Sequence, residues 1–216
     1  MVTQSTDTIA GIAIPDTPLV REITEFIRAS ESDLLFNHSR RVFLFGALQG
    51  RRRGLQPALE LLYAGAMFHD LGLTERYRMS MVRFEVDGAN AARDFLLERG
   101  VDKADADRVW LSIALHTTPG VPEFLEPEIA LVTAGVETDV LGIGRDDLSA
   151  EALAAVTAAH PRPDFKQRIL SAFNDGMKHR PQTTSGTCND DVLERFDRTF
   201  VRDNFVDTIL NNSWPE

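Results

Sequence analysis

The stretch LLYAGAMFHDLGLTERY, residues 61–77, decides the fold and raises the first chemical question. It begins as an almost wholly apolar run and then presents His69 and Asp70 side by side. A helix that is apolar on nearly every side is typical of the centre of a bundle. We predict that this helix begins at Pro57 and that Gly72 forms its C-cap. Burying an imidazole and a carboxylate without partners is costly, so other groups should meet the pair inside the protein.

The composition is that of one globular domain. The chain has 216 residues, of which 43% are hydrophobic, and this is enough for one substantial core. We expect a single all-helical domain over residues 1–216. Its motif-bearing core would span 33–144, and C-terminal helices at 149–216 would pack on it, covering a pocket or forming a dimer surface.

Charge, cysteine content and hydropathy limit which classes of partner and which cellular location we expect. The formal charge of −10 repels phosphate backbones and anionic lipids, so we expect a small-molecule substrate and neither nucleic acid nor membrane as partner, with a homo-oligomer left open. Cys188 is the only cysteine, so any metal must be held by histidine and carboxylate. The opening residues lack a signal-peptide pattern, and no run approaches the roughly 20 apolar residues of a membrane span. We predict a cytoplasmic protein.

Helical periodicity and caps recur along the chain, whereas strand signals are scarce, so the predicted fold class is all-α. The first predicted helix begins at Thr17-Pro18. The other predicted helices run from Asp33 to Arg53, from Pro57 to His69-Asp70, from Asp87 to Gly100, from Asp102 to His116, from Pro127 past Asp139, from Ser149 to His160, from Asp164 to His179 and from Asp191 to Ile209.

Five polar side chains lie on otherwise apolar helical faces: His38, His69, Asp70, His116 and Asp139. Apart from the adjacent pair, each lies on a different predicted helix. Imidazole nitrogens and carboxylate oxygens together suit a divalent first-row metal, whereas Ca²⁺ and Mg²⁺ prefer oxygen alone. The pattern therefore predicts a metal site.

Each of these residues also has a purely structural interpretation. His38 could be a core histidine bonded to a carbonyl, and Asp70 could cap the following turn. A helix shifted by one turn would replace Asp139 with Glu137 or Asp146. His116 could be a ligand's neighbour, a substrate contact or an ordinary histidine at the end of a helix.

The order His38, then His69-Asp70 within FHDLG, then Asp139 resembles the His, His-Asp, Asp signature of the HD superfamily of metal-dependent hydrolases. The stretch HSRRV at 38–42 resembles the first-ligand helix of this superfamily, and RFEVDGANAARDFL at 83–96 resembles the stretch after the HD pair in its cyanamide-hydratase-like members. The resemblance implies an HD-domain helical bundle. It also implies one divalent metal, most often zinc, with iron, manganese or cobalt as alternatives, held by His38, His69, Asp70 and Asp139.

The same resemblance implies a reaction in which a metal-activated water attacks a small nitrile- or cyanamide-like substrate. Asp70 would both bind the ion and orient the water, and His116 would pass a proton to the substrate. Phe84 and Glu85 are predicted to line the substrate pocket together with His116. With His116 the only histidine between Asp70 and Asp139, a single metal is favoured over a pair.

Two other functions remain open from the sequence. An HD-type phosphohydrolase acting on a nucleotide or another phosphate ester would need cations near the pocket, and Arg76, Arg78 and Arg83 are candidates. Arg40 and Arg41 of the HSRRV stretch are expected to be solvated, although one of them could reach a substrate anion. A non-enzymatic helical interaction module would retain no metal.

Overall fold

The computed structural model describes residues 8–214 and confirms the all-α fold class. A short antiparallel hairpin, β1 (Thr8–Ile9) and β2 (Ile12–Ala13), precedes the helices. The helices are α1 (Pro18–Ser30), α2 (Asp33–Arg53), α3 (Leu59–Phe68), α4 (Phe84–Glu98), α5 (Lys103–Ala114), α6 (Pro127–Val136), α7 (Ala150–Ala159), α8 (Phe165–Met177), α9 (Asn189–Phe196) and α10 (Phe205–Leu210).

Three helix starts follow the capping signals of the sequence. The side chains of Thr17, Ser32 and Asp102 accept hydrogen bonds from backbone N–H groups in the first turns of α1, α2 and α5. These side chains satisfy amides that have no partner within their own helix.

The segment after α3 differs from the prediction. α3 ends at Phe68, and Gly72 lies within a 3-10 turn, Leu71–Leu73, instead of forming the C-cap. A Cβ atom at Gly72 would lie 2.0 Å from the carbonyl oxygen of Phe84. Glycine is therefore needed here for close packing against the start of α4.

Two further boundaries were predicted wrongly. α4 begins at Phe84, before the expected Asp87. The helix expected over Asp191–Ile209 is split into α9 and α10. At the break, the Asp197 carboxylate accepts hydrogen bonds from the N–H and hydroxyl of Thr199, at 2.8 and 2.7 Å. Such local side-chain bonds compete with continuation of a helix.

The core surrounds α3, whose residues 61–68 are all buried. α2, α5 and α6 pack around this helix, and their apolar residues join it in one cluster. A second apolar cluster contains Leu35, Leu73, Phe84, Phe165, Ile169, Met177 and Leu193. It fixes α8 and α9 against α2, α4 and the turn that follows α3, so the C-terminal helices cover the region of His69 and Asp70.

The arrangement of α1 to α9 around shared clusters is consistent with one domain, although the predicted boundary of 1–216 stays a prediction. Within residues 8–214, no helix combines the length and apolar character that crossing a bilayer requires.

Candidate metal centre

Three predicted ligands meet in the interior. His38 lies on α2, His69 directly follows α3, and Asp70 precedes the 3-10 turn. The Nε2 atoms of His38 and His69 are 3.1 Å apart, and they lie 3.5 and 3.4 Å from Oδ2 of Asp70. All three residues are fully buried. This group could hold a metal ion.

The hydrogen bonds of the imidazoles define their tautomers. Nδ1 of His69 lies 2.8 Å from the carbonyl oxygen of Ala66, and Nδ1 of His38 lies 2.7 Å from Oδ2 of Asp139. Carbonyl and carboxylate oxygens only accept, so both Nδ1 atoms carry the hydrogen. In the neutral rings each Nε2 atom then carries a lone pair and no hydrogen. Two lone pairs at 3.1 Å need a proton or a cation between them.

The Asp70 carboxylate is negatively charged but receives no hydrogen bond from the described residues. Neither of its carboxylate oxygens has a hydrogen-bond partner among residues 8–214, although both are buried. Burial alone would raise the pKa of Asp70, but the neighbouring imidazoles, His69 foremost, hold it well below its usual range. A buried, ionised and unpartnered carboxylate beside two nitrogen lone pairs fits a cation.

The pKa values of His38 and His69 shift in opposite directions. Burial lowers the pKa of His38. Burial also acts to lower the pKa of His69, but Asp70, the Ala66 carbonyl and Asp139 together raise that pKa above its ordinary value. The carboxylate thus favours a positive charge at His69, and a divalent ion would provide that charge without protonating a ligand.

The structure also brings His116 and Phe84 to this group. Nε2 of His116 is 3.8 Å from Oδ1 of Asp70, and its Nδ1 donates to the carbonyl of Ile113 at 2.6 Å. A third Nε2 lone pair therefore faces the Asp70 carboxylate. Burial and then the charge of His69 lower the pKa of His116 to about 4. The Phe84 ring lies 5.7 Å from the His116 ring.

Asp139, the fourth predicted ligand, lies behind His38, on the Nδ1 side, outside the group of ligand atoms around Nε2. Arg41 donates to both its oxygens at 2.8 Å, and the Arg162 Nε lies 3.3 Å from Oδ1. In this geometry Asp139 orients His38, as carboxylates commonly do behind metal-binding histidines. Its direct ligation of a metal stays a prediction that this arrangement does not favour.

Asp139 lies at a local change of helix type. Residues Glu137–Leu141, which continue α6, form a π-helical turn. A π-turn contains more residues than an α-turn, so its side chains point in other directions than those of an ideal α-helix.

Sequence reasoning misjudged the arginines of α2. Arg41 is fully buried and Arg40 nearly so, although both were expected to be solvated or near a substrate. Arg40 donates to the hydroxyl of Tyr63 at 2.5 Å. The spacing of Arg41, three residues after His38, places both on one helical face and could have revealed the shared contact with Asp139.

Glu85 is buried close to His116, but its charge is satisfied. Arg83 pairs with it at 2.9 Å, the Asn189 amide donates at 3.0 Å, and the Thr117 hydroxyl also donates. Burial would raise the pKa of Glu85, but Arg83 and then His116 lower it. Asn189 belongs to α9, so this C-terminal helix covers one side of the centre. The sequence had no specific signal for the contact of Asn189 with Glu85.

Glu31 is a buried carboxyl that the sequence analysis did not single out. Ser39 donates to its Oε2 at 3.4 Å, while Oε1 has no hydrogen-bond partner among residues 8–214. Burial, and then the negative charge of Asp70, raise the pKa of Glu31 well above its ordinary value.

Fold and site together define a helical bundle with a buried His-His-Asp group suited to a divalent metal. The model of the HD domain family matches residues 35–171, more than half of the chain, and the protein belongs to this family. HD domains are typically metal-dependent hydrolases, and the family implies a divalent metal. A search of curated proteins found no match.

Proposed function

We propose that this protein is a hydratase or hydrolase that uses a metal-activated water to attack a small neutral substrate of the nitrile or cyanamide type. The observation that supports it most directly is the convergence of three imidazole Nε2 atoms on the unpartnered carboxylate of Asp70. A divalent first-row ion held there would lower the pKa of its bound water towards about 7 and so supply hydroxide.

The residues of this chain would divide the remaining work. His38, His69 and Asp70 would hold the ion, and zinc, iron, manganese and cobalt all suit this mixed set. Oδ1 of Asp70 lies away from the closest histidine contacts and would orient the water. Nε2 of His116 is an acceptor in the neutral ring, so His116 would first take a proton and then deliver it to the substrate.

The surroundings of the centre favour a small, neutral substrate. The candidate ligands are fully buried beneath α8, with Phe165 5.3 Å from the His38 ring. Arg83, which lies beside the centre, is already paired with Glu85. A closed site next to a paired arginine suits a compact uncharged molecule better than a phosphate ester.

The phosphohydrolase alternative loses two of its three candidate cations. Arg78 is exposed and pairs with Glu75 at 3.0 Å, and Arg76 lies 5.9 Å from the Phe26 ring and 5.8 Å from the Tyr77 ring. Substrate phosphate would therefore depend on Arg83 leaving Glu85, for which the structure gives no reason.

The decisive experiment measures metal content and substrate range together. Purified protein is analysed for bound metals and assayed with cyanamide, small aliphatic nitriles, nucleoside monophosphates and p-nitrophenyl phosphate. We expect about one metal ion per chain and chelator-sensitive turnover of the nitrile or cyanamide group. His69→Ala should lose both, whereas the matched His179→Ala should lose neither. Turnover of phosphate esters alone would establish the alternative, and metal-free protein without turnover would indicate an interaction module.

A further inference from the structure

The three candidate ligands are not oriented in the same way. Nδ1 of His38 is held by the carboxylate of Asp139, and Nδ1 of His69 is held by a backbone carbonyl. The Asp70 carboxylate, in contrast, receives no hydrogen bond from the part of the chain that the structure describes. Metal ligands usually depend on such outer partners for their orientation. The direction of the Asp70 side chain therefore depends on the backbone that carries it.

That backbone continues into a 3-10 turn that is packed tightly on two sides. The N–H of Leu73 donates to the Asp70 carbonyl at 2.9 Å, which ties the turn to the candidate ligand. On one side, a Cβ atom at Gly72 would lie 2.0 Å from the carbonyl oxygen of Phe84. On the other side, a Cβ atom at Gly176 would lie 3.0 Å from Cα of Leu73. The start of α4 and the end of α8 therefore enclose the turn closely.

Arg180 joins this turn to both neighbouring segments. It follows α8 and is fully buried. Its guanidinium donates to the carbonyls of Gly72, Val82 and Gly176, at 2.7, 2.9 and 3.2 Å. It also pairs with the carboxylate of Asp87 in the first turn of α4. One side chain thus bonds to the turn, to the segment that precedes α4 and to α8 at once.

The use of an arginine here favours a role in geometry. A buried ion pair often contributes no net stability compared with apolar side chains of similar volume, because both charges lose their hydration. The guanidinium instead fixes directions, since its donors form a rigid planar fork. A centre whose ligands must be held precisely needs such a support behind them.

We propose that Arg180 is a positioning residue for the metal centre. By holding the carbonyl of Gly72 it fixes the turn and, through the turn, the direction of the Asp70 carboxylate. Its bonds to Val82 and Asp87 anchor the guanidinium against the start of α4. The inference rests on the metal-binding role of Asp70 in the proposed function, and it is independent of which substrate reacts.

The zinc affinity of the full chain, measured by competition with a chromophoric chelator, tests this role. Arg180→Lys keeps a positive charge beside Asp87, but an ammonium cannot reproduce the rigid fork. We expect the variant to bind zinc at least about tenfold more weakly than the wild type, as is typical when a support behind a ligand is lost. The visible spectrum of the Co²⁺-loaded variant should also change, because that spectrum depends on ligand geometry.

Val20→Ala is the control for a general loss of stability. Val20 is buried in the first turn of α1. The preceding Thr17 bonds to Glu60 near the start of α3, whereas His69 follows the other end of that helix. The variant should lower the unfolding midpoint because it leaves a cavity. Its zinc affinity should change by less than about twofold, as expected for a distant site.

Two results would overturn the proposal: a loss of zinc affinity smaller than about tenfold in Arg180→Lys, or an equal loss in Val20→Ala. If circular dichroism shows that Arg180→Lys is unfolded, Asp87→Asn replaces it, since it weakens the charge-assisted bond that anchors the guanidinium. That variant should lose at least about threefold in zinc affinity, and a smaller loss would overturn the proposal as well. Wild-type protein that binds neither zinc nor cobalt would instead refute the metal centre itself, so the two failures are distinguishable.

Discussion

Replacing Arg41 with methionine should destabilise the protein more than any change of an exposed arginine. Its guanidinium is fully buried and donates to both oxygens of Asp139. It also donates to the carbonyls of His160 and Pro161, at 3.2 and 3.1 Å, and lies 4.8 Å from the Phe165 ring. The variant leaves a buried carboxylate and two carbonyls without these donors.

The expected magnitude follows from the charge that remains. Removing one partner of a buried ion pair typically costs about 3–5 kcal/mol. Here Arg162 stays 3.3 Å from Asp139 and supplies part of the lost interaction. Methionine also retains much of the packing volume, so we expect a loss of about 3 kcal/mol in the free energy of unfolding.

Urea unfolding of metal-free protein, followed by circular dichroism, measures this loss directly. Arg53→Met is the control, since Arg53 is exposed on the same helix, and it should change stability by less than about 0.5 kcal/mol. The double variant Arg41→Met/Asp139→Asn should recover part of the loss, because it removes the uncompensated charge. A cost for Arg41→Met no greater than that of Arg53→Met would refute the assigned role of Arg41.

Three further predictions concern neighbouring residues. Gly72→Ala should lower the unfolding midpoint by several degrees in a thermal melt, because its Cβ would lie 2.0 Å from the Phe84 carbonyl oxygen. Glu31→Gln should stabilise the protein at neutral pH but not near pH 4. Because the pKa of Glu31 is raised in the folded state, the wild type loses stability as the pH rises above the pKa of the unfolded state. The glutamine variant does not titrate at this position and keeps its stability. Melts across pH test this, and a pH-independent difference would contradict it. Asp139→Asn should weaken metal affinity by about 10–100-fold without abolishing it, as expected of a residue that orients a ligand, while His38→Ala abolishes it; equal loss in both would make Asp139 a direct ligand.

The sequence was sufficient for the features that follow from local pattern. The apolar run before His69 predicted a central buried helix, and helical spacing placed His38 on a core face. These two inferences place both histidines and Asp70 in the interior, and the HD resemblance predicted that they meet there. The capping residues Thr17 and Asp102 likewise predicted the first residues of α1 and α5.

Other features depend on contacts that local pattern does not encode. The direction of Asp139 depends on a π-turn that has no simple sequence signature. Burial of Arg41 depends on the carboxylate and carbonyls that surround it after folding. The interaction of Asn189 with Glu85 joins segments far apart in the chain.

The complete enclosure of His38, His69 and Asp70 also has a kinetic consequence. An ion can enter or leave only when α8 and its neighbours separate transiently, so exchange is limited by the frequency of that opening as well as by the strength of ligation. The metal found in purified protein would then depend on which ion was abundant while the chain folded. Prolonged incubation with a competing ion near the unfolding midpoint would reveal the true thermodynamic preference.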